Sequence, residues 1–187
     1  MIVLSIMLSG WEKFKGWSVL EFFLSGNKSM HCNGLARELG IAVATAQTYL
    51  SAYEQEGILE KEKSANSIFY RLKETAFTRE LKKAFFLSKL SGFVGQFQKD
   101  NPLVTTLVLY GSHAKGTFDE NSDVDLIAFA QGKKVQLDSL KKLEHALGKE
   151  AKLQVFSLAE WKKLVQAGNP FAQAVQRTAI VLAGEPL

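Results

Sequence analysis

Leu109-Tyr-Gly-Ser-His-Ala-Lys-Gly-Thr-Phe-Asp-Glu-Asn-Ser-Asp-Val-Asp-Leu126 is the stretch on which the reading of this chain turns. Residues 103–110 lead into it as an apolar, β-branched run suited to a buried strand. Gly111-Ser112 then opens a short helix, so free backbone N–H groups and the helix dipole face any bound anion. Such a turn can cradle a triphosphate. Glycine lets the backbone come close, the Ser112 hydroxyl can bond a phosphate oxygen, and Lys115 adds a charge nearby. Asp123 and Asp125 lie two apart in a strand-like stretch, so both carboxylates leave one face while Val124 and Leu126 take the other. Paired carboxylates make a hard-oxygen site for Mg2+ (or Mn2+). Two such ions about 4 Å apart can hold a triphosphate, activate an attacking hydroxyl and stabilise a departing pyrophosphate.

Beyond this segment the pattern predicts a strand at 124–130, a helix at about 138–147, a strand at 152–156, and helices near 158–167 and 170–180. Gly-Ser, ten residues, then Asp-x-Asp, with Ser122 before the first Asp and Leu126 after the second, resembles the minimal nucleotidyltransferases of the polymerase-β superfamily. The resemblance spans about residues 103–187. It implies that Gly111 and Ser112 bind phosphates, that Asp123 and Asp125 are catalytic metal ligands, and that a nucleoside triphosphate, ATP among the candidates, is the substrate. Active members of that superfamily usually add a third carboxylate from a neighbouring strand. Here the corresponding strand reads Lys152-Leu-Gln-Val-Phe156, with Gln154 at the expected position and Glu150 at the strand's start.

The N-terminal half reads differently. Residues 17–25 carry a helical apolar pattern, Asn33 can cap a helix running through Leu35-Ala-Arg-Glu-Leu39, and Gly40 supplies a left-handed turn. A second helix follows at about 43–56, with Ala46, Leu50 and Tyr53 on one face. Two strand-like runs, 58–63 and 68–72, are joined by Ser64-Ala-Asn-Ser67. Over about residues 17–75 this resembles the winged helix-turn-helix regulators of archaea and bacteria. The resemblance implies DNA contact through residues 33–72, with Gln47, Thr48 and Ser51 toward base edges and Lys61, Lys63 and Arg71 of the wing toward phosphates. The helix at 43–56 has no Lys or Arg, so the common arginine-to-guanine contact is closed to it. Winged helices also dock proteins and form dimers, so a homodimer is among the partners implied.

The fold class expected is therefore α/β (α+β): a winged helix-turn-helix domain with an N-terminal arm over 1–75, a connecting helix or helix pair over 76–100, and a nucleotidyltransferase domain over 101–187 with a small mixed sheet flanked by helices. In 76–98 the apolar stripe is Phe77, Leu81, Ala84, Phe85, Leu87, Leu90, Val94 and Phe97, interrupted by Gly92 and Gly95.

Composition limits the partners. The chain has 187 residues, 47% apolar and 22% charged, which is ordinary globular composition. Its net charge of +4 is uneven: residues 1–99 hold 13 Lys/Arg against 9 Asp/Glu, whereas 100–187 hold 10 against 10, so an anionic partner belongs with the first half. A single cysteine, Cys32, cannot form an internal disulfide, and its spacing to His31, His113 and His145 is not that of a metal site. A reducing cytoplasm is the expected home. Residues 1–8 are apolar but too short to span a bilayer, lack a preceding basic residue and a clear cleavage site, and read as a strand or packed arm, with Met7 a second candidate start. No membrane partner is expected. His113 reads as a solvent-facing loop residue, and His31 and His145 as surface residues. The alternatives left open are a nucleotidyltransferase acting on a hydroxyl of a protein, nucleic acid or small molecule, and a regulator or antitoxin-like protein whose degenerate C-terminal domain only binds nucleotide. A third is a DNA-binding protein with an inert C-terminal scaffold.

Overall fold

The computed structural model describes residues 14–185 apart from 65 and 133, so the arm expected at 1–8 lies outside the described residues. The chain divides into two compact units, Met1–Lys82 and Lys83–Leu187. Among the described residues no helix is long and apolar enough to cross a membrane.

In the first unit, helices α1 (Lys15–Leu24), α2 (Cys32–Glu38) and α3 (Val43–Gln55) accompany strands β1 (Ser29–His31), β2 (Leu59–Ser64) and β3 (Ser67–Leu72). The strands form an antiparallel sheet in the order β1-β3-β2. Val19, Phe23 and Leu24 of α1 are buried, as are Leu35 of α2, Ala46 and Leu50 of α3, and Leu59 and Tyr70 of the sheet. Removing these apolar side chains from water at about 25 cal/mol per Å2 is the main force holding three short helices together. Gly40 has φ +61, which lets α2 turn into α3 within four residues. Two expectations are corrected here. The N-cap of α2 is His31, without a side-chain cap, so Asn33 lies inside the helix rather than capping it. The sheet also has a third strand, β1, too short at three residues to show a period in sequence.

Helix α4 (Ala76–Asp100) is continuous, so Gly92 and Gly95 do not split it. Tertiary packing outweighs a cost of about 1 kcal/mol per helical glycine. Phe77, expected in the apolar stripe, is instead 62% exposed, and the inward position beside it belongs to Thr78, whose hydroxyl donates to the Lys73 carbonyl.

The second unit holds β4 (Val104–Tyr110), α5 (Gly111–Lys115), β5 (Val124–Ala130), α6 (Asp138–Leu147), β6 (Ala151–Phe156), α7 (Leu158–Gln166), α8 (Pro170–Thr178) and β7 (Ile180–Ala183). Its four-stranded sheet runs β6-β5-β4-β7, with β5 and β6 parallel and the other pairs antiparallel. The sheet is thus small and mixed. On one face Leu107, Leu109, Val124, Leu126 and Ala128 pack with Phe86, Leu90, Phe93 and Phe97 of α4 and Leu140 and Leu143 of α6. On the other, Val108, Ile127 and Phe129 meet Trp161 of α7 and Ala172 and Val175 of α8. Ser157 starts α7 with a capping box, accepting from the Glu160 N–H while the Glu160 carboxylate accepts from its own. The helix expected over 170–180 stops at Thr178, because Ile180 pairs with Leu109 as the start of β7.

Candidate active site

β4 delivers the chain to Gly111 and β5 carries it back through Asp125, and Tyr110 and Asp125 are directly paired across the two strands. A hairpin-like return over 14 residues thus brings the turn and the carboxylate into one corner. Gly111 has φ +74, and a Cβ built on it would collide with Asp125 Oδ2. Only glycine satisfies both the backbone conformation and the approach. Gly111 and Ser112 are half-buried, and Lys115 lies exposed at the end of α5. Tyr110, the N-cap of α5, provides no side-chain cap, so the first-turn N–H groups of this helix are left for another acceptor.

Asp123 precedes β5 and Asp125 lies in it, both half-buried, with Val124 and Leu126 fully buried on the opposite face. Burial pushes the Asp125 carboxyl above its ordinary range; the Lys152 ammonium opposes this, and Asp123 adds to it. The Lys152 ammonium donates to Asp123 Oδ2 at 2.6 Å, and this bond, with attraction to Asp123 and Glu150, holds Lys152 above its usual value.

The approach to Asp123 is held by a small network. Asp119 Oδ1 accepts from the Ser122 hydroxyl at 2.8 Å and from the Asn121 N–H at 3.0 Å, and these bonds lower its proton affinity. The Lys149 ammonium donates to the carbonyls of Asp119, Glu120 and Ser122 at 2.8, 2.7 and 3.3 Å. Ser122, noted in sequence only as part of the motif, is therefore a brace for the loop.

The parallel register pairs Asp125 with Lys152 and Ile127 with Gln154. Gln154 lies one pleat beyond the carboxylates and donates to the Tyr110 hydroxyl at 2.8 Å. Glu150 is exposed, before β6, and its carbonyl accepts from the Val124 N–H. Among the described residues no group of three or more His, Cys, Asp or Glu side chains could hold a metal ion together. The two carboxylates, with the space that a side chain on Gly111 would fill, match the hard-oxygen chemistry of one divalent cation.

His113 is not a solvent-facing residue. It is fully buried, stacked on Phe118 at 4.3 Å between centroids and tilted against Phe86 at 4.2 Å. It anchors α5 from beneath. A cavity of about 610 Å3 lined by Thr105, Thr106, Trp161 and Val165, among others, lies by the start of β4, the end remote from Gly111.

The six residues expected to face DNA lie on α3 and the β2-β3 hairpin, and most are engaged locally. The Gln47 amide reaches Ser51 Oγ at 2.9 Å and the Tyr70 hydroxyl at 3.3 Å, and Thr48 bonds the Ala44 carbonyl. Lys61 pairs with Glu54 at 3.0 Å and Arg71 with Glu60 at 2.8 Å. Directly opposite residues share a sheet face, so Lys61 and Lys63, across from Tyr70 and Ile68, leave one face, and Arg71, across from Glu60, leaves the other. The three cations do not form one patch.

Lys152, Lys149 and Tyr110 were not singled out in sequence. Lys152 could have been found only from the β5–β6 register, which depends on how α6 and its flanking loops fold.

The family model described as nucleotidyltransferase domain matches residues 87–177. No curated protein matches the chain. Among solved structures, a toxin-antitoxin with AMP-PNP is similar at 24% identity and TM-score 0.38, over 51% of this chain and 73% of that one. A mutant of the toxin-antitoxin MntA-HpeT is similar at 21% identity and TM-score 0.38, over the same shares. A candidate nucleotidyltransferase from Sulfolobus solfataricus is similar at 13% identity and TM-score 0.34, over 56% of this chain and 85% of that one.

Proposed function

We propose that the second unit is a nucleotidyltransferase that moves a nucleoside monophosphate, AMP from ATP, onto a hydroxyl acceptor. The observation that carries this reading is the contact at Gly111, where a left-handed glycine turn lies so close to the Asp125 carboxylate that any side chain would collide with it. The close approach leaves the Gly111 backbone and the Asp125 carboxylate side by side, where one ligand can meet both. The family match over residues 87–177 supports the same reaction class.

In this reading the first-turn N–H groups at Gly111 and Ser112, with the Ser112 hydroxyl, bind the polyphosphate, and Lys115 lies at its exposed rim. Asp123 and Asp125 would hold the divalent cation, Mg2+ or Mn2+, which would supply positive charge to the triphosphate and the departing pyrophosphate. The acceptor hydroxyl gives up its proton to solvent, its oxygen attacks the α-phosphorus, the bond to the bridging oxygen breaks, and pyrophosphate leaves in line. Lys149 and Ser122 keep the 119–122 loop folded, so that Asp123 stays beside Asp125.

The first unit is read as a winged helix-turn-helix, supported by the order of helices α1 to α3 and the β2-β3 hairpin. It would bind DNA or dock a protein acceptor, and homodimerisation belongs to the same proposal. A second reading, a regulator whose C-terminal unit only senses nucleotide, is favoured by the side chains Lys152 and Gln154 on β6, neither of which is a carboxylate. Incubation with ATP labelled at the α-phosphate, Mg2+ and candidate acceptors separates the two. Label transfer with pyrophosphate release, abolished in Asp123→Asn/Asp125→Asn, is the expected result. Tight nucleotide binding without release supports the sensor, and no binding of any triphosphate at millimolar Mg2+ sinks both.

A further inference from the structure

Across the parallel pair from Asp125, β6 carries Lys152, one pleat before the Gln154 that stands at the position of the expected third acid. We propose that the Lys152 ammonium is a resident cation of the pocket, standing in for one of two divalent ions, so that a triphosphate is held with a single divalent cation. The inference rests on the nucleotidyl-transfer reading and specifies how that site is charged.

Three observations carry it. The ammonium lies 2.6 Å from Asp123 Oδ2, in direct contact with one of the two carboxylates that would hold a divalent ion. The Lys152 side chain is 52% exposed and that of Asp123 34%, so the ion pair is open to solvent rather than sealed in the interior. Gln154, the other polar side chain of β6 on this face, is bonded to the Tyr110 hydroxyl and leaves the position beside Asp125 to Lys152 alone.

Electrostatics agrees. Three carboxylates with two divalent ions, and two carboxylates with one ammonium and one divalent ion, have the same net charge, one positive. Either set meets a triphosphate with the same net charge, yet the second cannot lose its ammonium to a chelator. The ammonium is a point charge with three donors on a flexible stem, able to swing from Asp123 to a phosphate oxygen when one arrives.

The test counts ions and weighs their binding. Free Mn2+ is titrated by electron paramagnetic resonance against the full chain, alone and with a non-hydrolysable ATP analogue, for wild type, Lys152→Met and Lys152→Asp. Thermal melts check that each variant is folded, and Lys152→Gln serves if the methionine variant is not. Wild type with the analogue should retain one Mn2+, and Lys152→Asp two. Without nucleotide, Lys152→Met should bind Mn2+ roughly three- to tenfold more tightly, because a competing positive charge has gone. Two Mn2+ in the wild-type complex, or an unchanged or weakened Mn2+ affinity in Lys152→Met, overturns the inference and leaves nucleotidyl transfer standing. Failure of wild type to bind the analogue under any condition removes both.

Discussion

At Gly111 the missing side chain matters twice, for a φ of +74 and for the space beside Asp125 Oδ2. Gly111→Ala is therefore expected to cost about 1–3 kcal/mol of stability and to weaken ATP binding by at least tenfold, measured by thermal melting and calorimetry. Asp125 behaves oppositely. Burial raises its proton affinity in the folded chain, so its contribution to stability is full below the ordinary carboxylate range and is lost as pH rises through the raised value. At neutral pH the half-buried, ionised carboxylate is a liability, screened by solvent but real. Asp125→Asn should then raise Tm by roughly 1–3 °C in metal-free buffer while abolishing nucleotide transfer. A fall in Tm would contradict that account. The motif residues at this corner were legible because their chemistry is written in residue type and spacing. His113 was not, because its burial is supplied by Phe86 on α4 and by Phe118 beyond α5, contacts without local signature.

Among the elements, β4, β5 and the helices of the second unit could be read from apolar runs and periodicity, since each buries enough side chains to impose a pattern. The shortest strands could not. β1 has three residues and β7 four, and each exists because a neighbouring strand offers its edge. Phe77 misled for a related reason: a helical stripe marks a face, and at the start of α4 the buried position is taken by Thr78, which bonds the Lys73 carbonyl, while Phe77 is exposed. In the first unit, α1 and α3 are joined by the Tyr53 hydroxyl, which donates to the Gly16 carbonyl at 2.8 Å. Burial, with Tyr49 and Glu56 adding, pushes Tyr53 up to about 12 from 10.0. The folded chain holds this proton more tightly than the unfolded one, so the stability is complete below about pH 10 and lost as pH climbs through about 12. Tyr53→Phe should melt lower at neutral pH by about 1 kcal/mol for the lost bond. It should also lose less between pH 10 and 12 than wild type, as followed by circular dichroism.

For the whole molecule, the excess of basic residues in the N-terminal half gives an anionic partner somewhere to bind, but the β2-β3 hairpin spends its cations on two faces and two of the three on acids. Duplex binding by this unit should therefore show a shallow salt dependence. Anisotropy titrations between about 50 and 200 mM salt are expected to give a log–log slope no steeper than about −3, the value for two or three neutralised phosphates. A slope near −6 would require a basic surface that the described hairpin lacks.

Gly111, Ser112, Asp123 and Asp125 belong to one uninterrupted passage of chain, whereas Lys152 arrives from a strand beyond an intervening helix. The two carboxylates beside Gly111 are thus encoded as a block, and the lysine that meets them through a separate codon. A gene duplicate could exchange lysine for aspartate there and alter how many ions the pocket keeps, while every letter of the recognisable signature stayed the same. Descendants sorted by that signature alone would be grouped as equals although their pockets were charged differently.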